Sequence, residues 1–81
     1  MQLADHSHDR AAADAPLVRN RVKVLRAERD WSQSDLAERA GVSRQTINSI
    51  ETERYDPSLE LGLKLARIFE QPVERIFSLD G

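Results

Sequence analysis

The sequence predicts an all-α fold, a compact bundle of five short helices, on three observations. Apolar residues recur at helical spacing in separate short runs, such as Val18, Val22 and Leu25 or Leu36, Ala37 and Ala40. Ser32, Ser43, Ser58 and Pro72 stand where four of those runs would start, and serine or proline there satisfies or dispenses with unpaired backbone amides. Only Gly41, Val42 and Ser43 separate the second run from the third, a link too short for a relaxed hairpin, so those two helices must cross steeply. A chain of 81 residues holds one domain with one modest core, a size that often leans on a partner subunit.

Residues 1–16, with the segment HSHD, Ala11 to Ala13 and Ala15-Pro16, lack sustained apolar periodicity and read as a flexible arm. Residues 17–81 form the ordered domain. Helix one is expected over Val18 to Arg29, its stripe ringed by Arg19, Arg21, Lys23, Arg26 and Arg29, and Asp30-Trp31 ends it. Helix two runs from Gln33 to Ala40 behind a capping box of Ser32 and Asp35, and Gly41 ends it in the left-handed region. Ser43 caps helix three, about Arg44 to Thr52, with Ile47 and Ile50 facing inward and Val42 closing the turn. After the loop Glu53 to Pro57, Ser58 caps helix four, Leu59 to Phe69. Pro72 opens a last short helix to Ile76, and Phe77, Ser78 and Leu79 extend beyond it.

Helix four is richer in apolar residues than one core stripe requires. Leu59, Gly62, Leu65, Ala66 and Phe69 are assigned to the core. Leu61, Leu63 and Ile68 are left over and, with Ile76, Phe77 and Leu79, form the expected dimerisation surface. The alternative is a wide stripe covered by the terminal segment.

Several function classes are excluded. Without cysteine there is neither a disulfide nor a thiolate metal site. No apolar run approaches the roughly 18 residues of a membrane span, and the N-terminus lacks the pattern of a signal peptide, so no membrane partner and a cytoplasmic location are expected. His6 and His8 beside Asp5 and Asp9 are legitimate ligand types, but they sit in the arm with no rigid partners to orient them, and no metal or cofactor is expected. No Ser-His or paired-carboxylate constellation stands out, so no enzyme activity is expected. The net charge of -2 is unevenly spread: residues 19–54 hold eight basic and six acidic side chains, and the segments on either side are each at -2.

The segment from Trp31 to Glu51, WSQSDLAERAGVSRQTINSIE, is a helix-turn-helix pattern whose second helix opens with polar residues. With PSLELGLKLARIF and VERIF it resembles the lambda-repressor-like, Cro/C1-type helix-turn-helix transcriptional regulators, over about Asn20 to Phe77. Gln33, Ala37, Gly41, Val42, Ser43, Ile47, Ile50 and Glu51 carry the likeness. It departs at Glu70, where such proteins often have glycine, at Gln71, and at Gly62, where a bulkier residue is common; Gly62 is expected to admit a close approach of Trp31 or Phe69.

The resemblance implies double-stranded DNA as partner, bound by a homodimer with helix three in the major groove. Arg44 can then donate twice to guanine O6 and N7, Gln45 can pair with adenine N6 and N7, and Asn48 lies on a similar face to read a base or grip a phosphate. Ser43, Thr46 and Ser49 are assigned to flanking contacts, and Gln33 is a backbone clamp by the resemblance. Arg54 and Tyr55 after helix three, and Arg19, Asn20 and Arg21 from helix one, are further phosphate candidates. Glu51 is expected to tie helix three to an arginine of helix one as a surface ion pair, and Trp31 to pack. A two-fold dimer would select a palindromic site. The competing reading is an antitoxin-like or other module that binds an unknown protein partner through the Leu61/Leu63/Ile68 surface, with DNA contact secondary or absent.

Overall fold

In the computed structural model, which describes residues 18–54 and 56–79, the first helix starts at Val22 instead of Val18. Val18–Asn20 is a short strand, β1, paired antiparallel with Phe77–Leu79, β2, in the register Val18 to Leu79 and Asn20 to Phe77. One side chain marks the switch from strand to helix. Asn20 Oδ1 accepts from Val22 N at 3.0 Å, and its Nδ2 donates to Ile50 O at 2.9 Å, so the amide stitches the start of one helix to the end of another. A three-residue strand pair has no strong period-2 signature, and Val18, Val22 and Leu25 satisfy helical spacing whether or not Val18 is helical.

The five helices of the described residues are α1 (Val22–Glu28), α2 (Gln33–Ala40), α3 (Arg44–Glu51), α4 (Leu59–Phe69) and α5 (Val73–Ile76). Their caps follow the expected chemistry. Ser32 Oγ accepts from Asp35 N at 3.0 Å while Ser32 N donates to Asp35 Oδ2 at 2.9 Å, the reciprocal pair of a capping box. Ser43 and Ser58 accept from Thr46 N and Leu61 N, each at 3.1 Å. Gly41 ends α2 at φ 72°, and Glu70 ends α4 in the same left-handed region at φ 57°. Pro72 is the cap of α5 and not its first helical residue.

Every helix contributes to a single core: Val22 and Leu25, Leu36, Ala37 and Ala40, Ile47 and Ile50, Leu61, Leu65 and Phe69, and Ile76. Two assignments on α4 are thereby corrected. Leu61 is buried (8% exposed) and belongs to the core stripe Leu61, Leu65, Phe69, whereas Leu59, in the first turn, is 76% exposed. Leu61 and Ile76 (1% exposed) therefore cannot form a dimer surface. Leu63 and Leu79 remain exposed, and Ile68 and Phe77 are half-buried against the core. Gly62 lies under neither Trp31 nor Phe69; a Cβ there would meet Phe77 at 3.9 Å and Val73 at 4.0 Å. Trp31 packs on Phe69 with ring centroids 6.0 Å apart, and the Arg39 guanidinium lies over the Trp31 ring at 4.1 Å. The predicted arm, 1–16, with His6 and His8, lies outside the described residues.

Candidate nucleic-acid interface

The helix expected to read DNA is α3, and its two faces are sharply divided. Ile47 and Ile50 are completely buried, which turns Arg44, Gln45 and Asn48 outward into solvent. Thr46 and Ser49 are half-buried at the margins. The Ser43 and Thr46 hydroxyls lie 2.9 Å apart, so the first turn of α3 is tied by its own side chains before anything binds.

Behind α3 lies a polar relay that links three helices. Arg26 of α1 grips Glu51 of α3 with Nε to Oε2 at 2.7 Å and Nη2 to Oε1 at 3.1 Å, and its Nη1 donates to Trp31 O at 2.9 Å. The Glu51 side chain is 3% exposed and that of Arg26 15%. The pair is thus buried, not on the surface as expected, and the hydrogen bond to Glu51 raises the Arg26 pKa above its ordinary value. Breaking a buried pair by removing one partner costs about 3–5 kcal/mol, because the survivor is left charged and unpaired. Glu51 Oε1 also accepts from Gln33 Nε2 at 3.0 Å, and the same nitrogen donates to Asn48 Oδ1 at 3.2 Å. On the other end of the amide, Gln33 Oε1 accepts a long contact from Arg44 Nη1 at 3.4 Å. Gln33 therefore touches both Arg44 and Asn48. Spacing within one helix says nothing about such contacts between helices.

The flanking candidates divide. Arg54 and Arg21 are exposed, and Arg19 keeps 60% of its side chain exposed while resting 3.3 Å from Glu53. Asn20 does not qualify as a phosphate contact, because both ends of its amide are used within the fold and its backbone N–H donates to Glu53 at 3.3 Å. Tyr55 lies outside the described residues. At the start of α2, the Ser32 backbone amide and then its hydroxyl hold the Asp35 carboxyl below its ordinary value of 3.8. No group of three or more metal-ligating side chains occurs among the described residues, and none of their helices is long and apolar enough to cross a membrane.

A small helical bundle that turns one short helix outward behind a glycine elbow defines the helix-turn-helix class, and direct comparison agrees. The helix-turn-helix family profile matches residues 22–76, and the chain belongs to that family. It is 48% identical over 60 residues to an uncharacterized HTH-type transcriptional regulator of Methanocaldococcus jannaschii, covering 74% of this chain and 91% of that protein. Over 42 residues it is 48% identical to the immunity repressor protein of Bacillus phage phi105, covering 52% of this chain and 29% of the repressor. Its fold is similar to the crystal structure of a "putative DNA-binding protein" from Bacteroides fragilis, with a TM-score of 0.69 at 29% identity, covering 76% of this chain and all of that one. The chain is a DNA-binding transcriptional regulator of the Cro/C1-type helix-turn-helix kind.

Proposed function

We propose that the protein is a cytoplasmic repressor that binds a palindromic operator as a homodimer and reads it directly with α3. The observation that carries this reading is the division of α3, with Ile47 and Ile50 at 0% exposure and Arg44, Gln45 and Asn48 pointing away from the core. A helix so held can enter the major groove amino end first. Arg44 suits guanine and Gln45 suits adenine, each worth about 1–3 kcal/mol of discrimination. Both Gln33 amide protons are already donated to Glu51 and Asn48, so phosphates fall to Arg54, Arg21 and Arg19, with Ser43, Thr46 and Ser49 at the margins of the groove. The likeness to a phage immunity repressor supports repression as the direction of control. Of the apolar residues that the fold leaves accessible, which include Val24 and Leu59, self-association falls to Leu63 and Leu79 with the half-buried Ile68 and Phe77.

Selection from random duplexes tests the reading. Arg44→Ala and Gln45→Ala should each erase preference at discrete bases, and retained selectivity in both would remove α3 as the reader. Sedimentation should give a dimer for the wild type and a monomer for Leu63→Asp or Leu79→Asp; a wild-type monomer at the concentrations that bind DNA would refute the two-fold arrangement.

A further inference from the structure

We propose that Arg21 and Arg75 together seat a backbone phosphate of DNA, carrying the contact past the carboxyl end of α3 and onto the terminal segment. This rests on the reading of α3 as the recognition helix and adds to it a residue, Arg75, and a place in the fold.

Arg21 and Arg75 lie near opposite ends of the domain, and backbone bonds bring them together. Asn20 pairs with Phe77 across β1 and β2, and one residue further on Arg21 N donates to Ile76 O at 2.9 Å. Arg21 thus leaves β1 beside the last turn of α5, where Arg75 immediately precedes Ile76. Both arginines are exposed, and both line one shallow hollow of about 310 Å³, with Arg19 of β1 also in its lining.

The charge of that hollow is not balanced from within. Arg19 is shared with Glu53 at 3.3 Å. Among the described residues no carboxylate stands within ion-pair distance of the Arg21 or Arg75 guanidinium. Glu74 lines the same hollow and pairs with neither, so positive charge remains in excess. The arginines around α1 and α2 are placed differently: Arg26, Arg29 and Arg39 each donate to a carboxylate or carbonyl of the fold. Two forked guanidiniums without an internal acceptor, held at one concave place, suit the several oxygens of a phosphate.

Position makes the duplex backbone the source of that phosphate. Asn20, next to Arg21, donates through Nδ2 to Ile50 O at 2.9 Å, so the hollow adjoins the carboxyl end of α3. Arg19 reaches Glu53, the neighbour of Arg54, across the same junction. A DNA strand carries one phosphate per about 3.4 Å of axis, so cations set beyond the end of a helix in the groove are placed for further phosphates of that backbone. Such a contact fixes register and carries no sequence information.

The test uses the full chain on the duplex that random selection returns, with binding followed from about 50 to 200 mM potassium chloride. Losing one phosphate lowers the slope of log K against log salt by about 0.9, so Arg21→Gln/Arg75→Gln should lose about 3.5-fold less affinity over that range than the wild type. Its base preferences and thermal midpoint should match those of the wild type. Arg67→Gln, at an exposed arginine of α4 outside the hollow, should leave the slope unchanged. Should the double variant not fold, Arg75→Gln alone, on the exposed side of a four-residue helix, should weaken every duplex by the same factor. A wild-type slope in a folded double variant overturns the proposal, as does undiminished affinity in Arg75→Gln or an equal drop of slope in Arg67→Gln. Inorganic phosphate that saturates the free wild-type chain but not the double variant, with the DNA slope unchanged, marks a small-anion site and overturns it too. Each of these results leaves α3 standing as the reader; a wild type without base preference sinks that reading first.

Discussion

Replacing Gly62 with alanine should stabilise the fold by about 1–2 kcal/mol, and the reasons can be worked from its surroundings. Gly62 sits in the first half of α4, and a glycine inside a helix costs about 0.8–1.0 kcal/mol relative to alanine. The site is buried, so an added methyl is removed from water, a gain of up to about 0.8 kcal/mol. The space exists: an added Cβ would find its nearest neighbours in Phe77 Cε2 at 3.9 Å and Val73 Cγ2 at 4.0 Å, ordinary van der Waals contacts that require no movement. Thermal unfolding followed by far-ultraviolet circular dichroism should rise by roughly 4–8 °C per kcal/mol for a domain of this size. In urea the midpoint should rise with the slope unchanged. Gly62→Leu gives the opposite sign, because its further carbons would have to displace the Phe77 ring. A Gly62→Ala protein no more stable than the wild type would refute the argument, since it would mean that the seam between α4 and the terminal segment closes more tightly than these distances allow.

Glu70→Gly should also stabilise, by about 0.5–1 kcal/mol, because Glu70 ends α4 in the left-handed region that costs an L-residue about 1–2 kcal/mol, and part of that gain is lost to the freer unfolded chain; an unchanged urea midpoint would contradict this. The capping carboxyl of Asp35, held below its ordinary value, contributes stability that is present above pH 3.8 and is lost as the pH falls through its lower folded value. Asp35→Ala should therefore lie below the wild type at neutral pH and converge with it in strong acid, and parallel curves of stability against pH would rule the cap out as the source.

Much of the architecture could be read from local chemistry. Ser32 with Asp35, Gly41 at its positive φ, and Ser43 fix the elbow within a dozen residues, and each acts through bonds to its immediate neighbours. Features made by distant segments were less legible. The β1–β2 pair joins the two ends of the domain, and neither strand is long enough to announce itself. Leu59 and Leu61 are both leucines near the start of α4, and which one turns inward depends on the direction in which α4 leaves Ser58. The buried ion pair did leave a trace: Arg26 lies four residues after Val22 and Glu51 four after Ile47, so each charge occupies a core-facing stripe and needs an opposite charge across the interior. The role of Gln33 left none, because three of its partners come from another helix.

The inward turn of Glu51 also bears on how a chain of net charge -2 can approach a polyanion. Glu51 is the single carboxylate of α3, and Arg26 neutralises it away from solvent. The outer face of α3 therefore presents Arg44 as its only charge, with Gln45 and Asn48 neutral beside it. Arg54 lies just past the end of α3, and the nearby Glu53 is already paired with Arg19. Phosphates respond to this local field more than to the total, which is dominated by acids in the flanking segments. Had Glu51 faced outward, the same composition would have placed a negative charge on the helix proposed to enter the groove. One buried carboxylate thus serves the fold by holding α1 to α3, and would serve binding by its absence from the surface proposed to meet DNA.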